Sequence, residues 1–352
     1  MTPKQVRKSL IALVVILVLT VGGMLRSVTL ENPATGGETM GTGYSVKITG
    51  KVKQKALEQI YEQIQARLTE INRQMSTWDP DSEISRFNHS RSLDGFQCSE
   101  EFAQVVRRAL ELSEKSGGAF DPTLQPLLNL WGFGSEGHDR NVPDEEAIRI
   151  VKETTGADKL SIDASSRLLK TEPEISLALG AIAKGYGVDE VGKILAQAGL
   201  ENWFIEIGGE VLASGVNPDG VPWRIGIQYP TTNPMSSKLQ GIVSVKGGAI
   251  ATSGNYRNYM EEDGVIYSHI LDPRTGRAVK SHTASVTVSA PNCMDADALA
   301  TALFVMGPEE GISWVESLDE VETMFLIRDE TGKIAERFSS GFEQATGYSS
   351  AL

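Results

Sequence analysis

The sequence predicts an α+β protein built on antiparallel sheets. Strand-like segments follow one another from Trp203 onward with no helix between several of them, which disfavours a doubly wound fold. Helical periodicity is confined to a few separate stretches. The 352 residues are 40% hydrophobic and 22% charged, enough apolar material for a sizeable core without staples.

The elements can be justified in chain order. Lys4, Arg7 and Lys8 precede an apolar run from Leu10 to Leu25, broken only by Thr20 and Gly22-Gly23. A basic segment before an apolar one is the pattern of an export signal, and no small-residue cleavage site follows it. Residues 1–26 are therefore expected to form an uncleaved anchor, with the three cations inside and the rest of the chain exported. No lipid-acceptor cysteine stands at its end, so a lipoprotein is not expected. Residues 27–43, rich in Gly and Thr from Asn32 onward, read as a linker. The main domain is expected over 44–338. Tyr44–Ile48 alternates like a strand, and Leu57, Ile60, Ile64, Leu68, Ile71 and Met75 then form one helical stripe. A second helix runs from about Glu100 to Ser116 and stops at Gly117-Gly118. Asp121 to Gly134 reads as an irregular packed loop. Trp203–Ser214 alternates around Gly208-Gly209, and 223–227, 241–245, 285–289 and 323–327 are further strand candidates. Helices are expected over 183–198, 294–306 and 309–317, and a polar, frayed tail over 339–352.

Lys and Arg number 33 against 46 Asp and Glu, a net charge of −13, so a generic nucleic-acid binder is disfavoured. An anionic ligand must be held by local devices. Export would permit a Cys98–Cys293 disulfide, and two inert buried thiols fit equally well.

Four constellations could carry chemistry. Asp297 and Thr301 lie four residues apart on one predicted helix, so a carboxylate and a hydroxyl share a face and could ligate a hard cation such as Mg²⁺. The alternative is a first-turn carboxylate serving the helix dipole and a threonine bonded to backbone. Gly180-Ala-Ile-Ala-Lys-Gly185 opens a helix with small residues and adds the Lys184 cation, so it suits a close-approaching anion or a tight packing turn. His269 closes a strand before a Pro/Gly turn and could accept a proton from a hydroxyl, or be structural. Trp78 could stack on a flat ring and Asp121 accept from heterocycle N–H groups, or they could pack the core and cap a turn.

Together these segments resemble the ApbE family, the FAD:protein FMN transferases of the bacterial envelope. The matches are Met40-Gly-Thr42, Met75-Ser-Thr-Trp-Asp-Pro-Asp-Ser-Glu-Ile-Ser-Arg-Phe-Asn88, Ala119-Phe-Asp-Pro122 and Asn129-Leu-Trp-Gly-Phe-Gly134. They continue with Gly180-Ala-Ile-Ala-Lys-Gly-Tyr-Gly-Val-Asp189, Glu206-Ile-Gly-Gly-Glu210, Ser253-Gly-Asn-Tyr256, Ser268-His-Ile-Leu-Asp-Pro-Arg-Thr-Gly276 and Ala296-Asp-Ala-Leu-Ala-Thr301, in order.

The resemblance implies a T-fold-like core and an Mg²⁺-dependent enzyme. It would cleave FAD and attach the FMN half through a phosphoester to a Thr or Ser of an acceptor protein, releasing AMP. Acceptors in the family are subunits of Na⁺-translocating NADH:quinone reductase and of Rnf complexes. Carried over by position, Met40, Trp78, Ala119, Phe120, Asp121, Lys184 and Ile270 would contact FAD. The Ala181 carbonyl, Asp297 and Thr301 would hold Mg²⁺, and His269 would act as base. Two positions depart from the family. Ala178 stands where an aspartate that contacts FAD is common, and Asp295 replaces a common Thr or Ser, adding a carboxylate near the metal. Readings that share the site are an FAD pyrophosphatase and a periplasmic FAD-binding protein with little turnover.

Overall fold

The computed structural model describes residues 28–351 apart from 137–139, 232, 234–236, 257 and 263–264. The expected anchor, residues 1–26, lies outside the described residues. Among those described, no helix is long and apolar enough to cross a membrane.

One eight-stranded sheet organises the chain. Its strands are β1 (Ala34–Thr39), β2 (Thr42–Ile48), β3 (Trp203–Ile207), β4 (Glu210–Ser214), β5 (Gly247–Gly254), β6 (Thr283–Ala290), β7 (Glu322–Arg328) and β8 (Ile334–Phe338). Their order in space is their order in sequence, and every neighbouring pair is antiparallel. Four long helices are α1 (Gln54–Met75), α2 (Glu100–Lys115), α3 (Ala183–Gln197) and α4 (Cys293–Met306). The α+β expectation with antiparallel sheets therefore holds.

Both faces of the sheet are covered. Val46, Ile48, Ile205, Ile207, Ala251, Val288 and Phe325 pack with the buried stripes of the helices. The alternate residues Val211, Ala213, Ile250, Met324 and Leu326 pack against Trp223 and Val243 of a smaller sheet and Phe342 of a short C-terminal helix. Period-two alternation along β7 thus serves two apolar layers, which is why the strand reads as continuously hydrophobic. The predicted α1 stripe is buried in full.

Three expectations need correction. The linker of residues 27–43 forms strands at Thr29–Glu31 and Ala34–Thr39, because its glycines fit a tight hairpin: a Cβ at Gly36 would lie 2.6 Å from the Tyr44 carbonyl. The loop 121–134 holds a short helix, Gln125–Leu130, whose Leu127 packs with Trp131 and Ile148 in a separate small core. The tail contains Phe342–Thr346 as a helix and Ser349–Ser350 as a strand, anchored by the fully buried Phe342. Both cysteines are free and buried, and burial pushes the Cys98 thiol up to about 12.

Candidate functional site

The site begins where α3 crosses α4. Gly185 makes that crossing possible, since a Cβ there would fall 2.1 Å from the Cys293 carbonyl oxygen. Asp189, one turn on, accepts from the Cys293 and Met294 N–H groups at 2.8 and 2.9 Å and so caps the start of α4. Burial pushes its carboxyl up to about 6, against the pull of those two bonds. The crossing carries Asp297, 3% exposed, against α3: its Oδ2 accepts from Gly185 N–H at 3.0 Å, and its Oδ1 lies 3.2 Å from Lys184 Nζ.

The same arrangement frees a carbonyl. Helical geometry would direct the Gly185 N–H to Ala181, but it goes to Asp297, and no backbone N–H among the described residues bonds the Ala181 carbonyl. Thr301, one turn along α4, shares a hydrogen bond with Ser253 of β5, Oγ1 to Oγ 3.0 Å. A carbonyl, a carboxylate and a hydroxyl are hard oxygen donors, which fits Mg²⁺. Among the described residues no group of three or more His, Cys, Asp or Glu could hold a metal. A cation here would therefore draw on these mixed oxygens together with those of a bound phosphate.

Lys184 occupies the centre. Its Nζ donates to the Gly180 carbonyl at 3.1 Å and pairs with Asp297 and with Glu210, 3.5 Å away. Burial alone would lower the ammonium's pKa, and the two carboxylates outweigh it and raise it. Burial drives the Glu210 carboxyl upward, Lys184 draws it back, and Asp297 adds to the rise. Glu210 was not among the residues the sequence singled out for chemistry. It matched only as part of a motif, and its partners are remote in the chain.

A cavity of about 300 Å³ opens beside Lys184, with Met40, Trp78, Gln125, Phe133, Ala178 and Gly180 among its lining. Met40 sits there with φ 50° and Gly41 with φ 71°, the two centre residues of the β1–β2 turn. Left-handed backbone is costly for methionine, and the side chain's contact with α3 at Gly187 holds it in place. Trp78 is 72% exposed and also borders an adjoining cavity of about 660 Å³. Gly180 meets nothing where a Cβ would be, so its backbone is open to close approach.

His269 stands next to this cavity, its ring edge-on to Phe133 with centroids 6.3 Å apart. Its Nδ1 is 2.8 Å from the Asn258 carbonyl, which fixes Nδ1 as the donor and leaves Nε2 as an acceptor. Desolvation holds its pKa below the ordinary imidazole value; the Asn258 bond opposes this and the charges of Lys184 and Arg140 add to it. Trp131 steadies the turn that follows by donating from Nε1 to the Gly276 carbonyl at 3.0 Å.

Other residues picked from the sequence stand apart from the cavity. Ala119 and Phe120 are buried in the main core, as is Ile270. The Asp121 carboxylate is committed to its own loop: Oδ1 accepts from Thr123 N–H and hydroxyl at 2.7 and 2.6 Å, and Oδ2 from Ala157 N–H at 3.2 Å. Its loop still supports the cavity, because Ala178 N–H donates to the Pro122 carbonyl at 2.7 Å. Asp295 does not join the cation site. Arg108 of α2 holds it with two bonds, Nε to Oδ1 2.6 Å and Nη2 to Oδ2 3.0 Å.

Known proteins share this architecture. A model of the ApbE family matches residues 40–325. The FAD:protein FMN transferase of Vibrio cholerae is 42% identical over 317 residues, 89% of this chain and 93% of that protein. That of Haemophilus influenzae is 37% identical, over 88% of this chain and 90% of the relative. The solved flavin transferase ApbE from Vibrio cholerae superposes with a TM-score of 0.81 at 41% identity, covering 89% of this chain and 99% of that one. The apo Pseudomonas stutzeri flavinyl transferase ApbE gives 0.81 at 38% identity, covering 91% and 98%.

Proposed function

The chain belongs to the ApbE family, and we propose that it transfers FMN from FAD to a Thr or Ser hydroxyl of an acceptor protein through a phosphoester bond, releasing AMP. One observation carries the chemistry. The Lys184 ammonium bridges the buried Asp297 carboxylate and the Gly180 carbonyl, beside a cavity edged by the exposed Trp78 and by Phe133, whose ring packs edge-on with His269.

The residues divide the work. Trp78 and Met40 offer apolar surface for the flavin ring, and the open backbone at Gly180 lets the pyrophosphate come close to the start of α3. Lys184 places a cation at the bridging phosphates. Ala181, Asp297 and Thr301 would hold Mg²⁺, which when bound neutralises developing phosphate charge. His269 Nε2 takes the proton of the acceptor hydroxyl as its oxygen bonds to the FMN-side phosphorus and the bond to the AMP oxygen breaks. Its lowered pKa keeps that nitrogen unprotonated at neutral pH. Ala119, Phe120, Asp121 and Ile270 act in this reading by shaping the wall behind the flavin.

The proposal places the protein at the bacterial inner membrane, with residues 1–26 as anchor and the enzyme on the periplasmic side. Its acceptors would be subunits of Na⁺-translocating NADH:quinone reductase or Rnf-type complexes; nucleic acid is not among its partners. AMP release from FAD with Mg²⁺, measured with and without an acceptor domain, tests the reading. Release that needs the acceptor supports transfer. Release without acceptor labelling identifies a pyrophosphatase, and retained FAD without AMP identifies a binding protein.

A further inference from the structure

Glu210 is a charged group the mechanism above leaves idle. It is the first residue of β4, delivered by the reversal at Gly208 and Gly209, whose φ values are 63° and 110°. Its side chain is buried, 4% exposed for the residue, and only Oε1 is engaged, by Lys184. Oε2 is buried with no hydrogen-bond partner among the described residues. A carboxylate in that position is expensive unless its charge is used.

Charge balance shows the use. Lys184 pairs with two carboxylates, Asp297 and Glu210, and Asp297 is also the anionic member of the proposed cation site. An ammonium and a divalent ion cannot share one carboxylate without strong repulsion at contact distance. A divalent ion at Asp297 would repel the Lys184 ammonium and weaken that contact, and the lysine side chain, 25% exposed, has a route to solvent. Glu210 is the anion that remains beside it.

We propose that Glu210 is a positioning residue that retains the Lys184 ammonium at the phosphate side of the site while a divalent cation occupies Asp297. It acts through Lys184 and touches neither metal nor flavin. The inference rests on the Mg²⁺ reading of Asp297 given above. It also explains the composition of the cluster: with two carboxylates flanking one lysine, a partner stays beside Lys184 when a cation takes up the other.

The test is calorimetric titration of the full chain with Mg²⁺ alone, in a double-mutant cycle of Glu210→Gln and Lys184→Gln. With Glu210 removed, Lys184 has only Asp297 and competes with the ion, so Glu210→Gln should weaken Mg²⁺ binding about tenfold, the worth of one charge-assisted contact. In the Lys184→Gln background the same change should cost less than about twofold. An equal loss in both backgrounds would make Glu210 a metal ligand and overturn the proposal, as would no loss in either. If Glu210→Gln does not fold, Glu210→Asp withdraws the carboxylate by one methylene and should show the same dependence on Lys184. Mg²⁺ binding that Asp297→Ala leaves intact would overturn the cation-site reading itself, an outcome distinct from failure of the cycle.

Discussion

Gly185→Ala is the most demanding perturbation of the α3–α4 crossing. An added Cβ would meet backbone only: the Cys293 oxygen at 2.1 Å, its carbonyl carbon at 2.5 Å and Met294 Cα at 2.8 Å, where ordinary contact begins at 3.4 Å. Backbone cannot rotate aside as a side-chain tip can, so the helices must part by roughly 1 Å, and overpacking of this kind costs about 1–3 kcal/mol or more. A glycine to alanine change inside a helix otherwise gains about 1 kcal/mol. The expected net is a loss of about 2 kcal/mol, together with weaker Mg²⁺ binding, because the Gly185 N–H to Asp297 bond stretches with the crossing. Gly192→Ala on the same helix is the control. Its Cβ would meet the flexible tip of Leu212 at 2.8 Å and Trp203 at 3.2 Å, and the net should stay within about 1 kcal/mol of wild type. Urea unfolding gives both free energies and calorimetry gives the metal affinity. A Gly185→Ala protein as stable as Gly192→Ala, with Mg²⁺ binding intact, would refute the reasoning.

The remaining predictions concern titration and charge. Burial raises the Asp189 carboxyl to about 6 from its ordinary 3.8, so the folded protein holds that proton more tightly and stability falls as pH rises from about 4 to 6. The gap corresponds to about 3 kcal/mol, and Asp189→Asn should remove that slope from a series of melts across the window. His269→Gln should lower transfer at least ~100-fold while the fold persists. In the wild type the acid limb of kcat/KM should lie below pH 6.5, the ordinary imidazole value, because desolvation lowers the His269 pKa. Arg108→Met should destabilise by about 1–2 kcal/mol, since it strands the half-buried Asp295, and adding Asp295→Ser should restore most of the loss by urea midpoint.

How much of this was legible in the sequence depended on the range of the signal. Helix α1 was clear because six apolar residues at steps of three and four bury one face of a long amphipathic helix. Strand β5 was not, although it lies in the middle of the sheet. Its sequence Gly-Gly-Ala-Ile-Ala-Thr-Ser-Gly offers small residues because a helix packs closely on one side, and small residues carry little strand propensity. That Asp297 and Thr301 lie one turn apart on one helix was readable from their spacing, and a shared cation role was favoured only by the family resemblance. The Ala181 carbonyl entered only through the family resemblance, and Glu210 was singled out by nothing, because each acquires its meaning from groups far away in the chain. For Asp121, residue type left a heterocycle contact and a turn cap both open, and local hydrogen bonds to both oxygens show the cap.

The central claim is that the Asp297–Lys184 cluster and His269 together move FMN from FAD onto a protein hydroxyl. Intact-mass analysis of an acceptor domain incubated with this protein, FAD and Mg²⁺ tests it most directly. The account predicts a mass gain of one phosphoester-linked FMN on the acceptor's Thr or Ser, stoichiometric with AMP and abolished by Asp297→Ala. An unmodified acceptor while FAD is consumed, or labelling that survives Asp297→Ala, would contradict it.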